Sequence, residues 1–328
     1  MKTIFPEMIH LRIKQFFLLA FLLVFFPLTL NAQQIFPWRS IQETPFIIYY
    51  QHADSLNAVH FLKIFQEELP SINHEINAKI KNPIQIFIAP AQSTFDRLTE
   101  NQIPHWGEAV AIPAQHQIII KSPRWHRPSQ NLKTIIMHEF VHVLADIACN
   151  HVSTPRWFSE GIAIYVSGDT QYLNNTTLTR AVASGETIHL YQIDGVFQFH
   201  QLRATLAYQE SFAAIQCIIE SFGRESIALL LDNIAKQGNF RLGFRATFGM
   251  STLEFEKFFQ SYLDEKYRFH LPIDIDTLLW IIIPFLFLAA VIARYYHNRK
   301  RLQRWEEDEQ RFFYFDDEND IDSSDENP

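Results

Sequence analysis

Cysteine is almost absent: Cys149 and Cys217 are the only two in 328 residues. That excludes a disulfide framework and a cysteine-built zinc module. Broad positive charge is missing as well. The formal net charge is −8, and the last 24 residues hold 11 acids against one arginine, so the rest of the chain is close to neutral. With no basic surface implied, nucleic acid is not an expected partner. No internal repeat is evident. Hydrophobic residues make up 48% and charged residues 20%, enough to bury a core.

Two stretches lack charge, and they suggest a compartment. Residues Gln15 to Pro37 carry none, and Lys2, Arg12 and Lys14 lie before them. A basic start, an apolar run and the small Ala32 describe a secretory signal over residues 1–32. Leu30 is large for its position before such a cut, so an uncleaved anchor stays open. The second stretch, Leu278 to Ala293, is followed by Arg294, Arg299, Lys300, Arg301 and Arg304. It is expected to cross a lipid bilayer once, over residues 274–296. The basic flank puts the C-terminus in the cytoplasm. Residues 33–273 are then an extracytoplasmic domain. Residues 297–328 are a basic-then-acidic cytoplasmic tail, disordered at its acidic end.

Within the outer region the patterns alternate first and become helical later. Strands are expected over 46–50 and 84–88, then as a pair over 108–112 and 117–121. Helices are expected from Asp54 to about Ala78 with a break at Pro70, over 93–99, from a Ser129 cap to Ala148, and from Thr154 to Gly168. Further helices are expected over 203–222 and 225–237. A last one starts at Ser251, where Glu254 completes a capping box. Fold class is therefore α+β, with a small mixed-sheet half and a helical half.

The chemistry concentrates in Met137-His138-Glu139-Phe140-Val141-His142. The spacing i, i+4 puts both imidazoles on one helix face, able to grip one metal ion. Glu139 is turned aside by about 100°, near enough to act on a water there. Zinc needs a third protein ligand and an open fourth position. Glu160, seventeen residues after His142, could supply it from the next helix. Trp157 and Ile164 share its face and would pack the two helices around the site. Asp146 could orient a ligand imidazole. His105, His116 and His151 read as ordinary histidines. A disulfide between the two cysteines is permitted outside the cytoplasm, but two buried free thiols are expected.

A helix carrying H-E-x-x-H, followed by one carrying W-x-x-E-G-x-A, resembles the gluzincin metallopeptidases. These are the thermolysin-like and aminopeptidase-like zincins, and in particular the bacterial peptidase MA-like proteins. The resemblance implies one Zn2+ held by His138, His142 and Glu160, with Glu139 as the catalytic base. It also implies a zincin fold and a peptide or protein substrate. The Ala207-Tyr208 segment is similar to the element that supplies an oxyanion-stabilising hydroxyl, which makes Tyr208 a candidate for that role and Tyr165 its rival. The strand near Trp106 to Ala111 is either a substrate-pairing edge or plain structure. An aminopeptidase would need an acid to anchor the substrate amine. Glu108 lies near the right place but does not fit the family's G-x-M-E-N offset. A non-catalytic receptor of the same fold has no need of Glu139. The helix bearing the motif contains Asp146 and follows Lys133, so it is not a membrane span.

Overall fold

The computed structural model describes residues 37–103, 107–129, 131–169, 172, 176–267 and 275–321; the side chains of 197, 198, 275–277 and 308–321 are not described. The expected signal segment, His105, Trp106, Asp274 and the last seven residues lie outside that set.

Strand β1 (Arg39–Glu43) forms a hairpin with β2 (Phe46–Tyr50). Its sequence Arg-Ser-Ile-Gln-Glu is exposed except at the half-buried Ile41, which explains why no hydrophobic pattern announces it. Helix α1 (Ser55–Ile76) runs through Pro70 without a break. Pro70 sits on the exposed side, where water can serve the carbonyl that the missing N–H leaves unpaired. Then come β3 (Ile84–Ala89), α2 (Gln92–Leu98), β4 (Ala109–Ile112) and β5 (Gln117–Lys121). The sheet order is β1-β2-β3-β5-β4. β3 pairs in parallel with β2 and β5, while β1 and β4 pair antiparallel at the two edges.

The two-residue period of the strands aims Phe46, Ile48, Ile86, Ile118 and Ile120 at one face of the sheet, where they are buried. Against that face lie α1 and α3 (Leu132–Ala148). Phe140 of α3 packs edge-on against Phe65 of α1, ring centroids 5.1 Å apart, and against Phe46, 5.8 Å apart. α2 covers part of the other face, burying Phe95 on Ile119. The cap of α3 is Asn131, which accepts the Lys133 N–H, and not Ser129, whose N–H donates to Glu108.

The remainder is helical: α4 (Arg156–Ser167), α5 (Thr176–Ser184), α6 (Gln201–Phe222), α7 (Ser226–Gln237), α8 (Phe240–Phe248) and α9 (Thr252–Tyr267). α5 and α8, of nine residues each, have no counterpart in the sequence reading. Ser251 and Glu254 make the expected capping box, with the Ser251 N–H donating to Glu254 at 2.7 Å. Trp157 reaches into the helical half, where it stacks on Phe255 at 5.8 Å. Gly161 lets α4 lie directly on α6, because a Cβ there would meet the Ser211 carbonyl oxygen at 2.3 Å.

Helix α10 spans Ile275–Ile321. Its stretch Leu278–Glu307 is long and apolar enough to cross a membrane and is wholly unburied within the protein, so it is a candidate span. The helix continues to Ile321, where a disordered acidic end was expected.

Candidate metal centre

Helix α3 buries Ile136, Met137, Phe140, Val141, Val143 and Leu144. Helical spacing then leaves Ile135, His138, Glu139, His142, Ala145 and Asp146 on a half-open face. α4 packs beside it and brings Glu160 to the two imidazoles. Asp194, from the 3-10 segment Leu190–Gln198, takes the Arg156 N–H at 2.8 Å and so fixes where α4 begins.

Nε2 of His138 and Nε2 of His142 are 3.2 Å apart, and Oε2 of Glu160 is 3.5 Å from each. Two N–metal bonds and one O–metal bond of about 2.0–2.1 Å at tetrahedral angles would place donor atoms about 3.3–3.4 Å apart. The triangle therefore has the size of one face of such a tetrahedron, and the group could hold a metal ion. Two neutral imidazoles and one carboxylate are a donor set suited to zinc.

Burial works against charge on His138, but the hydrogen bond it donates to Glu160 and the charges of Glu139, Glu160 and Asp169 outweigh it and raise its pKa. Burial would also raise the Glu160 carboxyl, yet its bonds and charge pairing with His138 and His142 hold it well below the usual carboxylate range. Its other oxygen, Oε1, accepts from Arg156 at 3.2 Å.

The surrounding partners differ from the expected ones. Nδ1 of His142 meets Ser159 Oγ at 3.0 Å, and Asp146 instead binds His151. Asp146 therefore does not orient His142, because its rotamer is taken by a residue of the turn after α3. His138 Nδ1 is buried without a hydrogen-bond partner among the described residues. Glu139 lies beside the cluster and accepts the Ala111 N–H of edge strand β4 at 2.6 Å.

Tyr208 of α6 is partly buried, and burial followed by the charge of Glu160 raises its hydroxyl pKa, with Glu139 adding to the effect. It therefore sits within electrostatic reach of the cluster. Tyr172, which the sequence reading passed over, packs on Tyr208 with ring centroids 4.9 Å apart and also feels Asp169 and Glu160. Nothing local marks Tyr172, since it belongs to no periodic segment. Tyr165 packs near Phe212 and interacts with Arg224. Glu108 is engaged by the Ser129 N–H at 2.6 Å and by His126. His116 and His151 stack on each other, lining a separate cavity of about 220 Å³. Cys149 and Cys217 are free and buried.

No curated protein matches this chain. The model of the Peptidase MA superfamily matches residues 65–265, which is more than half of the chain and takes in α3, α4 and Tyr208. By that match, and in keeping with the paired histidines and the glutamate that the two helices bring together, the chain belongs to the Peptidase MA superfamily.

Proposed function

We propose that the protein is a membrane-anchored zinc metallopeptidase of gluzincin type, acting on peptide bonds outside the cytoplasm. The observation that carries this reading is the triangle of His138, His142 and Glu160 at tetrahedral size, with Glu139 alongside it and outside it. His138, His142 and Glu160 would hold one zinc ion. Bound there, zinc supplies a Lewis acid that makes a water more acidic and a carbonyl more electrophilic.

Glu139 takes the proton of the attacking water as the scissile carbonyl becomes tetrahedral. It then delivers that proton to the departing amine nitrogen, so the C–N bond breaks without expelling an anion. Tyr208 donates a hydrogen bond from its hydroxyl to the developing oxyanion, and its raised pKa keeps the hydroxyl protonated for that role. Ser159 fixes the ring of His142. Among the described residues β4 has no strand on its outer side, and the backbone groups it leaves open there, other than the Ala111 N–H held by Glu139, suit an extended substrate.

The endopeptidase reading is favoured over an aminopeptidase because Glu108 is already occupied by loop contacts. Residues 1–32 act as a signal, 33–273 form the catalytic domain, 274–296 cross the bilayer, and 297–328 lie in the cytoplasm. The experiment is peptide-library cleavage by the full chain in detergent, wild type beside Glu139→Gln. Loss of the base should lower hydrolysis by at least ~10²-fold while zinc stays stoichiometric. Equal rates would remove Glu139 from its role. Bound zinc with no cleavage by either protein would favour a receptor.

A further inference from the structure

We propose that the backbone N–H of Ala111 is the positioning group for Glu139: edge strand β4 aims the carboxylate through a single main-chain bond. This rests on the proposed role of Glu139 and adds a residue to it. Lys121 donates its N–H to the Glu108 carbonyl, so residues 108 and 121 form a hydrogen-bonded pair of the β4–β5 ladder. Antiparallel pairs alternate, which makes 110–119 and 112–117 the next bonded pairs and leaves 109 and 111 facing away from β5. The Ala111 N–H thus has no use in the ladder and points to the open side. There it meets Oε2 of Glu139 at 2.6 Å, a charge-assisted bond at the short end of its range.

A carboxylate on a helix has freely rotating terminal torsions, and a general base must present one oxygen at hydrogen-bond distance from the water it deprotonates. With Oε2 held by strand β4, the carboxylate plane is set and Oε1 remains for the proton. The strand that would pair with substrate is then the strand that orients the base. A rigid sheet edge serves this better than a side chain would, since its position is fixed by four residues of ladder.

The bond itself is tested by hydrogen exchange on the full chain in detergent, with fragmentation to single amides. The Ala111 amide should be protected in wild type and exchange at least ~10-fold faster in Glu139→Ala, the usual scale for losing a charge-assisted bond. The ladder amides of Val110 and Ile112 should not change. An Ala111 amide equally fast in both proteins overturns the proposal, whatever the enzyme does.

The consequence is tested with Ala111→Pro, which removes the N–H where no ladder bond is lost, beside Ala111→Gly, which keeps it. The proline variant should retain zinc and KM while kcat falls at least ~10-fold, and the glycine variant should keep kcat within about 3-fold. Equal kcat in the two variants overturns it. If the proline variant fails to fold, the exchange result decides. If wild type cleaves nothing, the peptidase reading fails, and the exchange result still settles whether Ala111 holds Glu139.

Discussion

Gly161→Ala is the substitution whose outcome depends most on tertiary structure. On an exposed helix the change would stabilise by up to about 1 kcal/mol, because alanine is the better helix former. Here the added Cβ would lie 2.3 Å from the Ser211 oxygen and 2.6 Å from Ile215 Cγ1. Ordinary carbon–oxygen contact needs roughly 1 Å more, and the Ser211 oxygen belongs to a helix backbone that cannot turn aside. Overpacking of this kind costs about 1–3 kcal/mol. Taking the upper end and subtracting the propensity gain leaves about 2 kcal/mol, or a Tm lower by about 4–8 °C. α4 must also move off α6 by about that ångström, and Glu160 moves with it. Ligand geometry tolerates only about 0.2 Å, so zinc affinity should fall by at least ~10-fold. Gly243→Ala is the control. Its Cβ would meet Ile234 Cα at 2.6 Å in the α7–α8 contact, so it should melt early as well but bind zinc normally. The assays are thermal unfolding and zinc titration of the full chain. Wild-type affinity in the Gly161 variant, or equal loss of zinc in both, would refute the argument that this one contact sets the position of Glu160.

Ser159→Ala should weaken zinc binding by about 10-fold by freeing the His142 ring, while Asp146→Ala should leave it within about 3-fold; metal titration separates the two. Glu210 is wholly buried on α6 and accepts the Ile188 N–H; burial chiefly, with Glu256, pushes its carboxyl up to about 8 against the opposing Ile188 bond and Arg203. The unfolded chain binds fewer protons than the folded one between about 4.5 and 8, so this group's contribution falls as pH rises through that window. Glu210→Gln should flatten the decline of Tm with pH there; an unchanged slope refutes it. A reporter active only in the cytoplasm, fused after Pro328, should work if the basic flank after Ala293 faces inward; silence there, with an active exported reporter, reverses the orientation.

The features readable from sequence are those that a few neighbouring residues decide. Two histidines four apart share a helix face in any α-helix, whatever surrounds it. Ser251 and Glu254 cap α9 by contacts within one turn. The β-branched runs of β2, β3 and β5 declare a buried sheet. Polar β1 declares nothing, because its pairing with β2 is backbone bonding that no side-chain pattern reports. Partner choice was not readable either. Asp146 lies one turn from His142 and looks like its support, but packing of α4 delivers Ser159 to that ring and leaves Asp146 to His151. Glu139 and Ala111 are 28 residues apart, and only the docking of α3 under the sheet brings them to 2.6 Å. Gly161 reads as an ordinary helix weakness until α6 lies against it. Local periodicity fixes which side chains share a face. Which face meets which is set by burying the whole core at once, and that sum exists only in the folded chain.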